Sequence, residues 1–217
     1  MRNNPLSRWL AGRKGKKGRA TVPVKALGER DRRRMLRHFL ALDQSDRLLR
    51  FGNVVPDEQV QAYVANIDFS RDIVFGVYNK VFQLVGVGHL AFAPAGQGST
   101  ATSKERVAEF GVSVSKSARG QGVGSRLFER AAINCRNSDI DTLYMQCLSS
   151  NKTMMHIAKK AGMQIKREYG EADAYLHLPP PSPGSVLQEA FEEQFATIDY
   201  AVKANARAAV KWLTPKK

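Results

Sequence analysis

The sequence predicts an α/β fold, because segments with strand periodicity alternate along the chain with segments of helical periodicity. The clearest example lies near the middle of the chain. Residues 109–115 (EFGVSVS) alternate apolar and polar side chains, residues 117–124 (SARGQGVG) form a glycine-rich turn, and residues 125–133 have helical apolar spacing. With 217 residues, of which 43% are hydrophobic, the chain has material for one domain with extensions.

The first part of the folded region predicts an edge strand, three amphipathic helices and a hairpin. The edge strand is predicted at 21–26, where Pro23 is tolerated because an edge strand leaves half of its N–H groups unpaired. The helices are predicted at 29–42, 45–51 and 56–66. The hairpin strands are predicted at 72–78 and 82–92, with a two-residue turn at Asn79 and Lys80. A loop rich in small and polar residues, expected to be mobile, follows at 94–104.

The second part adds three strands, two helices and a linker. The strands are predicted at 140–147, 163–169 and 172–178. A helix at 151–161 ends at Gly162, which is typical of a C-cap. Residues 179–184 (PPPSPG) predict a stiff linker, and residues 185–213 predict one long amphipathic helix. We expect this helix to bury its apolar stripe against the domain or against a second copy of the chain, as a homodimer.

Charge is distributed unevenly along the chain. The net charge is +14, and residues 1–37 contribute +11 of it, from 13 basic and two acidic side chains. Residues 1–20 predict a disordered basic arm, which either binds nucleic acid or another anionic surface, or serves as a solvated tail. The domain proper is therefore expected at 21–178.

The two cysteines lack the spacing of metal ligands, and no apolar run is long enough to cross a bilayer. The sequence therefore predicts a cytoplasmic protein without a metal site or membrane span.

The glycine-rich turn predicts an anion site, since it connects a strand to the N-terminus of a helix. The first turn of a helix has unpaired N–H groups, and glycines let the backbone approach a phosphate closely. The two common nucleotide-binding loops are excluded. A Walker loop requires a lysine after its last glycine, where Ser125 stands, and the GxGxxG spacing fails from both Gly120 and Gly122. The simpler alternative is a turn that only closes a βα unit.

Residues 119–124 (RGQGVG) match the pattern R/Q-x-x-G-x-G/A. Together with the strand before them, they resemble the acetyl-CoA pyrophosphate loop of the GNAT N-acetyltransferases. A second segment, residues 151–163 (NKTMMHIAKKAGM), resembles the motif that follows the fifth strand in that family. The resemblance covers residues 20–178. It implies a GNAT fold, with a mixed, mostly antiparallel sheet of six to seven strands flanked by helices, and a C-terminal helical extension outside the common domain.

The resemblance also implies a co-substrate, acetyl-CoA, and the residues that hold it. The pyrophosphate would be bound by the turn, at Arg119, Gly120, Gln121, Gly122, Val123, Gly124 and Ser125. The pantetheine arm would be bound by Val112, Ser113, Val114 and Asn151. The acceptor would be a primary amine, on a small molecule or on a protein lysine. Met154 and Met155 followed by Ala158 resemble the bacterial protein-lysine acetyltransferases, which favours the lysine.

Three residues are candidates for catalysis. Glu109 is the candidate general base, because an amine with a reference pKa near 10.4 is mostly protonated at neutral pH. His89 on the neighbouring strand is a second candidate, although a histidine in this setting is often a core residue. Many members of the family have a tyrosine that acts as general acid at the position of Ala158, and here Tyr144, Cys147 or Ser149 could replace it. The alternative function is a non-catalytic CoA-binding module that engages nucleic acid or a partner through the basic arm.

Overall fold

The computed structural model describes residues 22–92 and 106–213, with side chains up to residue 210. The predicted basic arm at 1–20 and the predicted loop at 94–104 lie outside the described residues. These residues form six α-helices: α1 (Arg32–Leu40), α2 (Gln44–Phe51), α3 (Asp57–Ala65), α4 (Val123–Asn137), α5 (Lys152–Ala161) and α6 (Pro183–Leu213). The same described part of the chain forms seven strands: β1 (Lys25–Leu27), β2 (Ile73–Tyr78), β3 (Leu84–Phe92), β4 (Val107–Val114), β5 (Thr142–Leu148), β6 (Gln164–Glu168) and β7 (Glu171–His177).

The seven strands form one sheet in the order β1-β2-β3-β4-β5-β7-β6. Every neighbouring pair is antiparallel except β4 and β5, which run parallel. The parallel pair follows from the helix α4 between them, since a helical crossover returns the chain to the same end of the sheet. The predicted mixed, mostly antiparallel sheet flanked by helices is therefore confirmed.

The turn between β2 and β3 is longer than the two-residue hairpin predicted near Asn79 and Lys80. The side-chain oxygen of Asn79 accepts hydrogen bonds from the backbone N–H groups of Val81 at 3.1 Å and Gln83 at 2.8 Å. Asparagine commonly closes turns in this way. The strands therefore resume pairing only at Leu84.

The two faces of the sheet have separate cores. On one face α4 and α5 bury Leu127, Phe128 and Ala158 against strand residues such as Phe110. On the other face, helices α1 and α3 bury Phe39 and other apolar side chains over β2 and β3. Because side chains alternate along a strand, the β4 residues between the core positions point to the second face. That alternation places the side chains of Glu109 and Phe110 on opposite faces of the sheet.

Helix α6 begins at Pro183, two residues before the predicted start, so the predicted linker loses its last two residues to the first helical turn. The helix packs along α4 through charged side chains. Arg130 of α4 lies 3.0 Å from the carboxylate of Glu189 and 2.7 Å from that of Glu193. The helix also buries Ala196 and packs the ring of Tyr200 against Tyr78 and Phe82. Its larger apolar residues are exposed at Leu187, Phe191, Phe195, Ile198 and Val202, so the expected burial of this stripe against the domain is not observed.

Candidate functional site

A cavity of about 470 Å³ opens beside the glycine-rich turn, between the C-terminal end of β4 and helices α2, α4 and α5. Ten of the residues predicted to bind the co-substrate line it: Val112, Ser113, Val114, Arg119, Gly120, Gly122, Val123, Gly124, Ser125 and Asn151. Gln121 does not line the cavity. Its side-chain amide donates a hydrogen bond to the carbonyl of Ser117 at 2.9 Å. The fold thus brings two distant sequence segments into one concave surface.

The glycine-rich turn has the backbone geometry that an anion site requires. Gly120 and Gly122 have φ angles of +72° and +82°, in the left-handed region that favours glycine. Gly122 is the residue just before α4, so the unpaired N–H groups of the first helical turn open beside it. A Cβ atom on Gly122 would meet no other atom within 4 Å. These features fit a pyrophosphate group held by backbone amides.

Strands β4 and β5 separate beyond their first paired residues. Their parallel pairing joins Val107, Ala108 and Glu109 to residues 142–144, although β4 continues to Val114 and β5 to Leu148. The edge of β4 that faces β5 is therefore free of a strand over residues 110–114. The backbone groups on that edge can bond to an extended arm such as pantetheine. The cavity lies along this same segment of β4.

Asn151 is fixed at the cavity wall by its role as the N-cap of α5. Its side-chain oxygen accepts a hydrogen bond from the backbone N–H of Met154 at 3.1 Å, and the residue is buried. The capping bond uses the carboxamide oxygen, so a hydrogen bond to a ligand would come from Nδ2. Helix α5 also contributes Thr153, His156 and Lys160 to the lining, which the sequence analysis did not select.

Helix α2 forms a wall of the cavity that the sequence analysis missed. Asp46 of α2 is buried and pairs with Arg119 of the glycine-rich turn at 2.5 Å, and Asp43 pairs with Lys116. These two ion pairs hold the start of α2 over the turn. The charge of Arg119 is therefore already balanced by a carboxylate. Its contribution to ligand binding is smaller than that of a free guanidinium.

Arg50, at the end of α2, lies flat against the backbone of β4 at the inner end of the cavity. A Cβ atom on Gly111 would lie 2.6–2.8 Å from the guanidinium, so the close approach depends on glycine. Arg50 Nη2 donates a hydrogen bond to the hydroxyl of Tyr63 at 2.7 Å. The rings of Phe51 and Tyr63 also lie beside the guanidinium, with centroids 5.1 Å and 5.4 Å away. Cation–π contacts of this kind stabilise a partly desolvated arginine.

His89 belongs to a hydrogen-bonded chain behind Arg50. Because Tyr63 accepts a hydrogen bond from Arg50, its hydroxyl donates to His89 Nδ1 at 2.8 Å. His89 Nε2 then donates to Asp72 at 3.0 Å. Burial lowers the pKa of His89 below its usual range, against the opposing effect of Asp72. Both ring nitrogens are thus engaged by protein groups, and the geometry fits a neutral, structurally held imidazole.

Glu109 and Tyr144 lie side by side where β4 and β5 begin to separate, since they are direct partners in the parallel register. Glu109 is exposed to solvent. The hydroxyl of Tyr144 donates a hydrogen bond to Asp173 at 2.6 Å. Burial, followed by this contact with Asp173, raises the pKa of Tyr144 well above its usual range. Tyr144 therefore retains its proton at neutral pH.

The sheet surface around this pair is acidic and aromatic, although the chain carries a net charge of +14. We call it the open face and define it by Glu109, Tyr144, Gln146, Glu171, Asp173 and Tyr175, whose side chains share one side of β4, β5 and β7. One lysine, Lys166, lies 5.9 Å from the ring of Tyr175. Three carboxylates and two aromatic rings favour a positively charged ligand.

The two other candidates for the proton donor are Cys147 and Ser149, and Ser149 Oγ donates its hydrogen bond to the carbonyl of Glu171 at 2.7 Å. Cys147 is buried on the opposite side of β5, with its sulfur 3.9 Å from that of Met155, and burial raises its pKa. Ala158 is fully buried in the core beneath α5. Within residues 22–92 and 106–213, no group of three or more His, Cys, Asp or Glu side chains is placed to hold a metal ion. The same residues include no helix that combines the length and apolar character needed to cross a membrane.

Comparison with known proteins identifies a family. A family model described as "Acetyltransferase (GNAT) family" matches residues 38–163. The match spans the sheet from β2 to β5 together with both cavity segments. A comparison with curated proteins finds no significant match.

Solved structures with the same fold include three of interest. The GNAT domain of S. lividans PAT is 20% identical, with a TM-score of 0.60 over 73% of this chain and 92% of that one. Spermidine N-acetyltransferase from Vibrio cholerae, in complex with CoA and spermine, is 16% identical, with a TM-score of 0.55 over 72% and 95%. The protein yncA from Salmonella typhimurium, with its cofactor acetyl-CoA, is 12% identical, with a TM-score of 0.54 over 75% and 97%. At these identities the likeness shows the fold.

Proposed function

This chain belongs to the acetyltransferase (GNAT) family, and we propose that it acetylates a positively charged primary amine bound on the open face. As a member of that family it is an N-acetyltransferase, and acetyl-CoA is its co-substrate. The acceptor class, the residue roles and a cytoplasmic location are parts of the proposal. One observation supports it above the others: the point where β4 and β5 separate lies between the cavity and the open face.

In this proposal the cavity holds acetyl-CoA, which supplies the acetyl thioester. The amides of the glycine-rich turn and the N-terminus of α4 bind the pyrophosphate. The free edge of β4 at residues 112–114 bonds to the pantetheine arm and directs the thioester toward the gap between the strands. Asn151 donates from Nδ2 to the same arm. The acceptor nitrogen approaches the thioester from the open face.

Two proton movements accompany the transfer. The ammonium group of the acceptor loses a proton to Glu109, directly or through a water molecule, so that the neutral nitrogen can form the new C–N bond. As the C–S bond breaks, the sulfur leaves as a thiolate, which the ordinary pKa of a thiol near 8.5 permits, and it then gains a proton. Tyr144 is the proposed donor of that proton, and its hydroxyl has to turn away from Asp173, to which it donates a hydrogen bond, before it can reach the sulfur. His89 supports Tyr63 and Arg50 behind the site.

The acceptor is proposed to be cationic because the open face has carboxylates at Glu109, Glu171 and Asp173 in an otherwise basic chain. A lysine side chain on a protein and a small polyamine share this chemistry. The Vibrio relative is a spermidine N-acetyltransferase, which makes a polyamine one acceptor to examine. A peptide with an exposed lysine is the other.

The test compares Glu109→Gln with the parent chain and with Glu58→Gln, a control at an exposed acid in the first turn of α3. Acetyl transfer is measured with spermidine, a lysine peptide and a neutral amine, and acetyl-CoA affinity is measured separately by calorimetry. We expect Glu109→Gln to bind acetyl-CoA normally but to lower kcat by about 10²–10⁴-fold, the range for general acid–base catalysis. Glu58→Gln should match the parent.

Two results would contradict the proposal. Normal turnover by Glu109→Gln across the pH range would exclude Glu109 as the base. Equal rates with neutral and cationic amines would exclude a cationic acceptor selected by the open face. Acetyl-CoA binding without transfer to any amine would instead support the non-catalytic module.

A further inference from the structure

Arg50 makes far fewer bonds than Arg47, the other arginine of α2. Arg47 donates hydrogen bonds from all three nitrogens of its guanidinium, to three backbone carbonyls and to the carboxylate of Asp57. Arg50 donates one hydrogen bond, from Nη2 to the hydroxyl of Tyr63 at 2.7 Å. Its Nε is buried and has no hydrogen-bond partner in the described ranges of the chain. The protein therefore fixes the position of Arg50 but leaves much of its bonding capacity unused.

The charge of Arg50 also has no counter-ion. In the part of the chain that the structure describes, no aspartate or glutamate forms an ion pair with it. Asp46, one turn earlier on α2, pairs with Arg119 instead. Glu109, on the same face of β4 as Gly111, lies beyond ion-pair distance. A guanidinium that is partly desolvated without a counter-ion costs free energy, which an anionic ligand can recover.

The position of Arg50 limits which part of a ligand it can contact. Its guanidinium packs on Gly111, three residues before Val114, and the glycine-rich turn that holds the pyrophosphate begins beyond Val114. At 3.3 Å per residue, Gly111 and Val114 are already about 10 Å apart along the strand. The pantetheine arm between them is uncharged. A ligand carboxylate beside Arg50 would therefore belong to the acyl group or to the acceptor.

We propose that Arg50 binds a carboxylate at the end of the acyl group, so that this chain transfers malonyl or succinyl groups as well as acetyl. The inference rests on the proposed function, because it concerns the acyl end of the same cavity. The acceptor is the poorer source of the carboxylate. It approaches from the open face, where Glu109, Glu171 and Asp173 repel a further negative charge. Arg50 lines the cavity instead.

Nη1 of Arg50 is the nitrogen available for this contact. It has no hydrogen-bond partner among the described residues and, unlike Nε, it is not buried. A carboxylate in the cavity can therefore accept a charge-assisted hydrogen bond from it. The transfer itself is unchanged. The neutral amine bonds to the thioester carbonyl carbon, the C–S bond breaks, and its electron pair leaves with the CoA sulfur, while the distal carboxylate keeps its charge.

The test compares two acyl-CoA molecules of equal chain length by calorimetry. Succinyl-CoA and butyryl-CoA both have four-carbon acyl groups, and only the succinyl group ends in a carboxylate. We expect the parent chain to bind succinyl-CoA about 10–100-fold more tightly than butyryl-CoA, the range for a hydrogen bond to a charged group. Arg50→Gln should lose this preference, and Arg50→Lys, which keeps the charge, should retain part of it.

Arg119→Gln is the matched control, because Arg119 lines the same cavity and already pairs with Asp46. It should change the affinities for succinyl-CoA and butyryl-CoA by the same factor. Transfer rates to spermidine and to a lysine peptide are measured with succinyl-CoA, butyryl-CoA and acetyl-CoA. Acetyl-CoA affinity retained by Arg50→Gln shows that the variant is folded.

A succinyl preference that Arg50→Gln loses and Arg119→Gln keeps, with succinyl transfer by the parent chain, would support the proposal. Equal affinities of the parent for succinyl-CoA and butyryl-CoA would overturn it. An Arg50→Gln variant that transfers all acyl groups more slowly by one factor would also overturn it, and would show that Arg50 acts on the thioester oxygen that they share. A preference for lysine over cadaverine, its analogue without the carboxylate, that disappears in Arg50→Gln would place the carboxylate on the acceptor.

The proposed function and this inference fail in different ways. Acetyl transfer without any preference for succinyl-CoA would remove the inference alone. No transfer from any acyl-CoA to any amine would remove the proposed function, and the binding preference would still show whether Arg50 recognises the carboxylate.

Discussion

The contact between Arg50 and Gly111 gives the prediction that tests the site geometry most directly. In Gly111→Ala the new Cβ atom would lie 2.6–2.8 Å from the guanidinium, so Arg50 has to move. The movement breaks its 2.7 Å hydrogen bond to Tyr63, and bonds that involve a charged group contribute about 1.5–3 kcal/mol to stability. Alanine in place of glycine recovers about 0.5–1 kcal/mol from the unfolded state. We expect a net loss of about 1–2 kcal/mol.

The sign of this effect should depend on Arg50. In the Arg50→Ala background no guanidinium lies over Gly111, so Gly111→Ala should become neutral or slightly stabilising. The coupling in the double-mutant cycle is therefore about 2 kcal/mol. Urea unfolding monitored by circular dichroism measures it, with Gly28→Ala as a control, because that Cβ would meet nothing within 4 Å. An equal cost of Gly111→Ala in both backgrounds would refute the packing of Arg50 on β4.

Two further predictions concern the glycine-rich turn and a buried histidine. Gly122→Trp should abolish acetyl-CoA binding measured by calorimetry, whereas the control Gly170→Trp, at a left-handed glycine in the β6–β7 turn, should bind normally. Equal affinities of the two variants would exclude the glycine-rich turn as the binding site. Burial lowers the pKa of His38 to about 4, so the folded chain binds fewer protons than the unfolded chain between about pH 6.5 and 4. Stability should therefore decrease on acidification, by about 2 kcal/mol between pH 7 and pH 5, and urea unfolding of His38→Gln should show a flatter profile over this range. An unchanged pH profile in that variant would contradict the burial of a neutral imidazole.

The local motifs of the site could be predicted because each is encoded in one short segment. The turn at 119–124 needs glycines at left-handed positions, and Gly120 and Gly122 have that geometry. Asn151 is followed by a helical pattern, and the structure has the predicted helix there, with Asn151 as its N-cap. Polar and apolar residues alternate clearly in the strand that contains Glu109, which places its carboxylate on the other face of the sheet from the buried Phe110. In all three cases, periodicity or backbone conformation limits which residues the segment can contain.

The contributions of α2 could not be predicted, because they depend on pairing between distant segments. Asp46 and Arg119 are 73 residues apart, and each is surrounded by other charged residues, so sequence alone offers many equivalent partners. The packing of Arg50 on Gly111 has the same origin. A glycine within a strand indicates a close approach of some group. It does not identify which group, since that depends on how α2 crosses the sheet.

The orientation of α6 shows why an amphipathic pattern alone does not determine which side of a helix docks. Leu187, Phe191, Phe195, Ile198 and Val202 lie on one side of α6 and are exposed, whereas Ala196 and Tyr200 on the other side are packed on the domain. The surface of α4 along which the helix lies is polar. Arg126, Arg130, Asn134 and Asn137 follow one another at helical spacing on that surface and bond to Glu189, Glu192, Glu193 and Ser185. This polar stripe on α4 is readable in the sequence, and it indicates that the domain binds the acidic side of α6. The matching of charged and polar groups between α4 and α6 thus selects the docked side of the helix, and the larger apolar side chains are left exposed on the other side.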